Sequence, residues 1–590
     1  MQASAPDDWW WRDKLLRGYF YILLKVALMK TVSLFVLLAI GALGSASAQD
    51  CPPQASVDIN ANHISARLLN GGDLFNTGSE GQFLYLPAAG SPSTLFNASF
   101  WIGGVRDGQL AFSGSTYRSS SEPPAFTPGP VSADTGEPLP NCAVWDRFFV
   151  VTRAEIEQFT QDRDQRTEEE LIQLYPSIMG WPGARNIHFE EVNGFPLPTQ
   201  STTGFIGLAP FADRNGDGIY TPMEGDLPAP NYSELEYYFL PDQFAWAVMN
   251  DMGSGNPNAM GIQLEVMAWA FDCESSPVLK DVVFTNHRVR YLRGAPVLDC
   301  HLGLFVDPDL GCFTDDYAGA KPDHNTLFVY NQDGVDGTVG SACEGGVTSF
   351  GEATPVQTIT FLDFWGMSYS AIWNGFSTPF PINIDDQLAQ YRLMSGFWPD
   401  GLPFTLGGDG YDPNSVEMVE HLYTGDPADV DGWSMCTSQL PPADLRMLGS
   451  RRVDDVSYGF THDLIAAWMV TPDAPAPCSI GNALDRVQEV QDIFDNDFQG
   501  GCGNLVGIQD EPVADENLRL YPNPATHTAT VELEEAAEVR VVAIDGRVLF
   551  TQRYPAGWQE LNLQGLPAGG YWVQAIGDAG VSARRLVVAR

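Results

Sequence analysis

Apolar and polar positions alternate, or run together in short blocks, over most of this chain. "GQFLYLPAAG" and "ASFWIGGVRDGQLAFSG" carry strand-forming residues punctuated by glycine and proline. "IQLEVMAWAFD" and "PVLKDVVFTNHRVRYL" are longer, rich in β-branched and aromatic residues and partly alternating, the pattern of half-buried strands in a sheet. "NTLFVYNQ" and "QTITFLDFWGM" add shorter strands. Helical spacing is scarce. "TRAEIEQFTQD" and "TEEELIQLY" form one helical patch, and "IGNALDRVQEVQDIFDNDF" sets Ala483, Val487, Val490 and Ile493 on one helix face. The pattern predicts a mainly β protein, with a large β-sandwich-like body, few helices and a late helix closing it.

The N-terminal stretch reads differently. "MKTVSLFVLLAIGALGSASAQD" opens with Lys30, continues through an apolar run from Val32 to Leu43, and ends in the small residues Ala46, Ser47 and Ala48. This is the layout of a secretory signal peptide cleaved before Gln49, so residues 1–48 form a signal region with Met29 as the expected true start. The rival reading is an uncleaved anchor, because the run approaches spanning length. After cleavage the mature chain is expected to have no membrane span. A β-rich part then covers 49–258, and a β-sandwich-like part with the closing helix covers 259–500, as one large unit or two fused ones. "GCGNLVGIQDEPVADEN" at 501–517 is a polar linker, and a compact unit follows at 518–590.

Charge sharpens the picture. Among 590 residues, 31 Lys and Arg face 75 Asp and Glu, a net charge of -44. Such a chain repels nucleic acid and anionic lipid and attracts divalent cations. All nine cysteines lie beyond the signal region, where an oxidising compartment lets them pair, and an odd number leaves one over. Their spacing contains no CxxC, which argues against zinc. Connectivity stays open; proximity alone suggests Cys300 with Cys312 and Cys478 with Cys502.

The sharpest chemical signal is "DRNGDGIYTPMEGD", from Asp213 to Asp226. Calcium takes six to eight oxygens, and a short loop supplies them from alternating positions. Asp213, Asn215 and Asp217 fill the first alternating slots, Gly218 takes the sharp turn, the carbonyl of Ile219 follows, and Glu224 supplies the closing carboxylate. Asp226 is an alternative to Glu224, or a ligand through water. Pro222 and the non-helical "GFIGLAPFA" upstream predict an isolated calcium loop rather than a paired sensor hand. Calcium is therefore the expected cofactor, in a structural role.

A second candidate metal site lies in "VDPDLGCFTDDYAGAKPD", where Asp307, Asp309, Asp315, Asp316 and Asp323 crowd together with little opposing charge, although part of the group could face solvent. "GGDGYDPN" at 407–414 is weaker and reads equally as a glycine-rich turn. Paired carboxylates also serve glycoside hydrolysis, with Asp315 and Asp316 or Glu190 and Glu191 as nominees, but neighbours on a strand point to opposite faces. No nucleophile elbow, zinc helix or phosphate-cradling loop is present in the sequence. His287 and His462 read as structural histidines. Trp101, Trp365, Trp373 and Trp398 are candidates for stacking on sugars, though most tryptophans belong in the core. No catalytic residue is assigned.

The compact unit at 518–590 alternates short strands and turns, with Asp545-Gly546 as a hairpin signal, and fits a small immunoglobulin-like sandwich. "LYPNPAT" (Tyr521, Pro522, Asn523, Pro524), "AIDGRVL" (Gly546), "LPAGGYWV" (Gly570, Tyr571) and the final "RRLVVAR" resemble the C-terminal sorting domain of Bacteroidetes type IX secretion cargo. The resemblance implies passage across the inner membrane by the signal peptide, then across the outer membrane by the type IX machinery, and release or attachment to surface lipopolysaccharide. "FWIGGVRDGQLAFSGSTYR", "DRNGDGIYTPMEGDLP", "FVDPDLGCFTDDYAG" and "VQEVQDIFDNDF" resemble a group of large secreted Bacteroidetes proteins that carry the same terminal domain and have no established activity. The expected function is a secreted or surface calcium-stabilised protein with a non-catalytic structural, adhesive or ligand-binding role, extracellular glycan being one expected partner. The alternative is a secreted glycoside hydrolase or other polysaccharide-active enzyme.

Overall fold

The computed structural model describes residues 51–588 apart from 118–123, 133–134, 199–207, 233–237, 338–342, 344–345, 364, 375–385, 473–476, 500–518, 524, 534–535, 544–547, 567–568 and 578–579. The signal region, the linker, Cys502, Pro524 and Gly546 therefore lie outside the described residues.

Two antiparallel sheets build the body. The first runs Ser56–Ile59, Ile64–Leu69, Asp73–Leu74, Leu95–Arg106, Val297–Pro308, Leu445–Val456 and Tyr369–Asn374, with Phe83–Tyr85 beside Ile64–Leu69 and Gln109–Ser113 beside Leu95–Arg106. The second runs Asp316–Lys321, Thr326–Asn331, Val356–Phe361, Thr461–Thr471, Val282–Tyr291, Ile262–Ala270, Gln243–Asn250 and Thr127–Pro128, with Phe149–Thr152 beside Gln243–Asn250. Both sheets draw strands from either side of residue 258. The chain is mostly β, as its pattern predicts.

Strand alternation explains the layering. In Ile262–Ala270, residues Ile262, Leu264, Val266, Ala268 and Ala270 enter a core shared with the first sheet. Met267 and Trp269 point the other way, into a second core built with Ile156, Phe159, Leu171, Phe189, Val487 and Phe494. Those last residues sit on the helices Arg153–Asp162, Glu168–Leu174, Phe189–Asn193 and Ala483–Asp495. Every residue of Ile262–Ala270 is buried. The half-buried expectation is thus corrected: a helical layer covers the face that was expected to meet water. Each large apolar side chain so buried contributes roughly 1.5–3 kcal/mol.

Local signals account for the element ends. Thr152 with Glu155 and Thr167 with Glu170 form reciprocal capping boxes, so the helical patch is two separately started helices, and each cap contributes roughly 1 kcal/mol. The hairpin between Leu95–Arg106 and Gln109–Ser113 turns on Asp107 and Gly108, both at positive φ (53° and 75°), the geometry of a two-residue type I′ turn. The late helix buries Ala483, Val487, Val490 and Phe494; Ile493 is only partly buried, one position off the expected stripe.

The disulfides correct both pairings suggested by proximity. Cys51 joins Cys142, Cys312 joins Cys343, and Cys436 joins Cys478, while Cys300 is a buried free thiol. Cys300 lies within Val297–Pro308 among core side chains, so it cannot reach Cys312.

The C-terminal unit has two sheets of its own. Arg519–Tyr521, Thr528–Leu533 and Gly557–Asn562 form one; Val548–Tyr554, Ala537–Ala543, Gly569–Gly577 and Gly580–Val588 form the other. Val531, Val539, Leu561, Val573 and Leu586 share its core. No helix among the described residues is long and apolar enough to cross a membrane.

Candidate functional site

The loop from Asp213 to Asp226 hangs between two short antiparallel strands, Phe211–Ala212 and Leu227–Pro228, so its flanks are β ladder rather than helices. Its side chains fold inward onto its own backbone. Asp213 Oδ1 accepts from the Gly216 N–H (2.8 Å) and its Oδ2 from the Gly218 N–H (2.7 Å). Asn215 Oδ1 accepts from the Asp217 N–H (3.0 Å), and Asp217 Oδ1 accepts from the Ile219 N–H (2.7 Å). Gly216 and Gly218 both sit at φ 72°, a left-handed turn that a β-carbon disfavours. The Asn215 amide donates to Asp217 Oδ2 (3.1 Å) and to Glu224 Oε2 (2.9 Å), so these two carboxylates share a donor, but Asp213, Asp217 and Glu224 do not bring three ligand oxygens within 4.8 Å of one another.

Asp226 is buried and accepts from the Arg214 N–H (2.9 Å) and the Thr221 N–H (2.8 Å). It therefore clamps the two ends of the loop. Burial raises its pKa, against the lowering effect of those two N–H donors. Tyr220 anchors the loop to the helical layer by donating to the Ile178 carbonyl (2.8 Å).

The second acidic cluster divides. Asp307 and Asp309, at the end of Val297–Pro308 and just beyond, bring carboxylate oxygens within 4.8 Å of one another and of Asp444. Antiparallel pairing explains the meeting: Val306 faces Met447, so Asp307 comes opposite Arg446, next to Asp444. Arg446 Nη1 lies 2.7 Å from Asp307 Oδ1 and also contacts Asp444, while the Tyr117 hydroxyl donates to Asp307 Oδ2 (2.6 Å). Three carboxylates thus share one guanidinium. Burial, opposed by Arg446 and the Tyr117 hydrogen bond, pushes Asp307 up to about 7. Burial and the charges of Asp307 and Asp444 push Asp309 up to about 8. Asp444 was missed by the sequence reading, because only the strand register brings it to Asp307.

Asp315 and Asp316 form a separate group with Asp336. Asp316 is fully buried, and its Oδ2 accepts from the Leu310 N–H (3.1 Å); Asp315 Oδ2 accepts from the Gly337 N–H (2.5 Å). Desolvation raises Asp316 well above the usual carboxylate range and takes Asp336 to about 6. Asp336 also approaches Cys312 and Cys343, but their disulfide removes both thiolates as ligands. Asp323 sits at the far end of Asp316–Lys321, on the turn Pro322–His324, beside Lys321 and His324. Segment 407–414 is a turn with Gly407, Gly408 and Gly410 at positive φ. Glu190 and Glu191 are exposed on the short helix Phe189–Asn193.

His287 is buried and stacked on Phe100 (5.3 Å), and burial pushes it down to about 3, so it is neutral. His462 is pushed down to about 4 by burial and by Arg451. Trp101, Trp373 and Trp398 are core residues, at 2% exposure or less; Trp365 stands out at 59%.

In the C-terminal unit, Tyr521 is exposed and ends the first strand. Asn523 Oδ1 accepts from the Val587 N–H (2.7 Å), tying the segment after Tyr521 and Pro522 to the last strand. Gly570 and Tyr571 lie in Gly569–Gly577, where Tyr571 is buried and pairs in register with Ala543 on one neighbouring strand and Leu586 on the other.

Residues 519–589 match the secretion system C-terminal sorting domain. The chain is type IX secretion cargo. The cargo is accordingly a secreted or outer-membrane surface protein that the type IX machinery handles. Among curated proteins none matches it. Two solved structures are among those similar to it. One is a polysaccharide lyase (6% identity, TM-score 0.16, covering 57% of the cargo and 36% of the lyase). The other is PorZ, an essential bacterial surface component of the type IX secretion system of Porphyromonas gingivalis (12% identity, TM-score 0.12, covering 65% of the cargo and 48% of PorZ). The cargo spans less than half the length of either, and at such scores neither carries an argument about its fold or activity.

Proposed function

We propose that the cargo is a calcium-stabilised, non-catalytic β scaffold with a structural, adhesive or ligand-binding role outside the cell. The observation that carries this reading is the inward hydrogen bonding of the loop at Asp213, Asn215, Asp217 and Glu224. The side chains of Asp213, Asp217 and Glu224 and the Ile219 carbonyl offer only oxygen, as calcium requires, and Asn215 joins the set by turning its amide oxygen to the ion. The Asn215 amide lies between Asp217 and Glu224, where a cation would be drawn by the same two carboxylates. Asp307, Asp309 and Asp444 are the second proposed ligand group, supported by their convergence and by their shortage of opposing charge.

Extracellular calcium modules bind at roughly 10⁻⁴ to 10⁻³ M, which makes such a site a permanent brace rather than a switch. At tenfold excess over its dissociation constant, one site stabilises by about 1.4 kcal/mol. Asp217→Ala is therefore expected to melt close to wild type in chelator, to melt below it in millimolar calcium, and to lose one calcium per chain by calorimetric titration. Equal calcium uptake by the variant and wild type would refute the loop assignment.

The hydrolase alternative draws less support. The nominated carboxylates are either exposed, as at Glu190 and Glu191, or committed to backbone N–H groups, as at Asp315 and Asp316. Extracellular glycan and surface lipopolysaccharide remain the proposed contacts of the exported protein.

A further inference from the structure

We infer that Trp365 and the cleft lined by the residues that hold its turn together form a binding subsite for a neutral carbohydrate, an inference that rests on the ligand-binding form of the proposed function and names its site. Indole rings are large apolar surfaces that folding normally hides, and Trp101, Trp181, Trp246, Trp269, Trp398 and Trp468 are all fully buried. Trp365 is 59% exposed on a turn that is tied down at several points.

Asp363 Oδ1 accepts from the Trp365 N–H (3.2 Å) and lies 2.6 Å from Arg451 Nη1. Arg451 is fully buried and also donates from Nε to the Gly366 carbonyl (2.8 Å). The Met367 N–H donates to Asn325 Oδ1 (3.0 Å). Gly366 sits at φ 63°, and a β-carbon there would come within 2.5 Å of Asn325 Oδ1, so only glycine lets the turn close on Asn325. A buried ion pair thus holds the turn, and the exposed indole lies with its ring centroid 6.0 Å from that of His462. Presenting a side chain from a firmly held turn lowers the ordering cost of a ligand that stacks on it.

Trp365 does not itself line the neighbouring cleft of about 410 Å³; Asp363 and Asn325, which hold its turn, do, together with His324, Gln488, Gln491, Asp495 and Val587 of the C-terminal unit. That size suits a small ligand. The lining is rich in amides and carboxylates, which pair with vicinal hydroxyls, while the C–H face of a pyranose carries the partial positive charge that an aromatic face attracts. Charge selects among glycans. Asp363 is answered by Arg451, but Asp495 and Asp323 add negative charge to a protein already at -44, so uronate and sulfated chains are repelled.

The test uses the full exported chain on an array of neutral hexose and N-acetylhexosamine oligosaccharides, with alginate and heparin fragments and spermidine as charged probes. Neutral oligosaccharides are expected to bind and to shift tryptophan emission. Trp365→Ala is expected to weaken that binding at least tenfold with an unchanged melting temperature, and Gln488→Ala to weaken it severalfold. Neutral glycan binding undiminished in both variants overturns this subsite and leaves the ligand-binding reading intact. Binding only to alginate, heparin or spermidine overturns the ligand class. No binding by wild type to any probe overturns the inference together with the ligand-binding form of the function.

Discussion

Removing residues 518–590 is expected to strand the protein in the periplasm, with loss of nearly all surface and secreted material. The unit that matches the sorting domain has its own two sheets and its own core of Val531, Val539, Leu561, Val573 and Leu586. It has the makings of an independent module, and the β body should fold without it. Fractionation followed by immunoblotting of periplasm, outer membrane and medium measures the effect. An unchanged distribution would mean that the C-terminal unit is not what the secretion machinery reads.

Arg446→Gln is expected to destabilise the body by about 3–5 kcal/mol in calcium-free buffer at pH 8, because it leaves the buried Asp307 carboxylate without its partner. The loss should shrink at pH 5. Asp307 and Asp309 titrate near 7 and 8 when folded, against 3.8 as the ordinary value, so the folded state holds protons that the unfolded chain has released. Stability from these two groups is full below about pH 4 and declines as pH rises through 7 to 8. The two carboxylates share their protons as a pair, and each unit of raised pKa corresponds to about 1.4 kcal/mol. Denaturant titration of wild type and variant at both pH values checks this. A loss of equal size at pH 5 and pH 8 would show that it does not come from the ionised Asp307 carboxylate losing Arg446. Calcium added at pH 8 should recover part of the loss if Asp307, Asp309 and Asp444 hold it.

The mainly β class and the C-terminal sorting domain were legible from residues close together in the chain. The two capping boxes and the Asp107-Gly108 hairpin depend on neighbours within a few positions, so local sequence carries them, although the sequence reading took the helical patch as one and did not single out that turn. What depends on register was not legible. Asp444 meets Asp307 only because Leu445–Val456 pairs with Val297–Pro308, and Cys436 meets Cys478 across a fold that spacing does not encode. The strand Ile262–Ala270 looked half-buried because its outward face carries Gln263 and Glu265. Glu265 is buried there against Arg290 and the Gln263 amide, and Gln263 in turn accepts from the Val131 N–H, so polar residues on a strand did not mean water. Of four nominated tryptophans, three went to the core, and only exposure in the folded chain singles out Trp365.

Calorimetric titration of calcium into chelator-treated wild-type protein, read alongside its melting curve, tests the central claim most directly. The account predicts saturable uptake at roughly 10⁻⁴ to 10⁻³ M and a melting temperature that rises with calcium. No detectable uptake, with superimposable melts in calcium and in chelator, would contradict it.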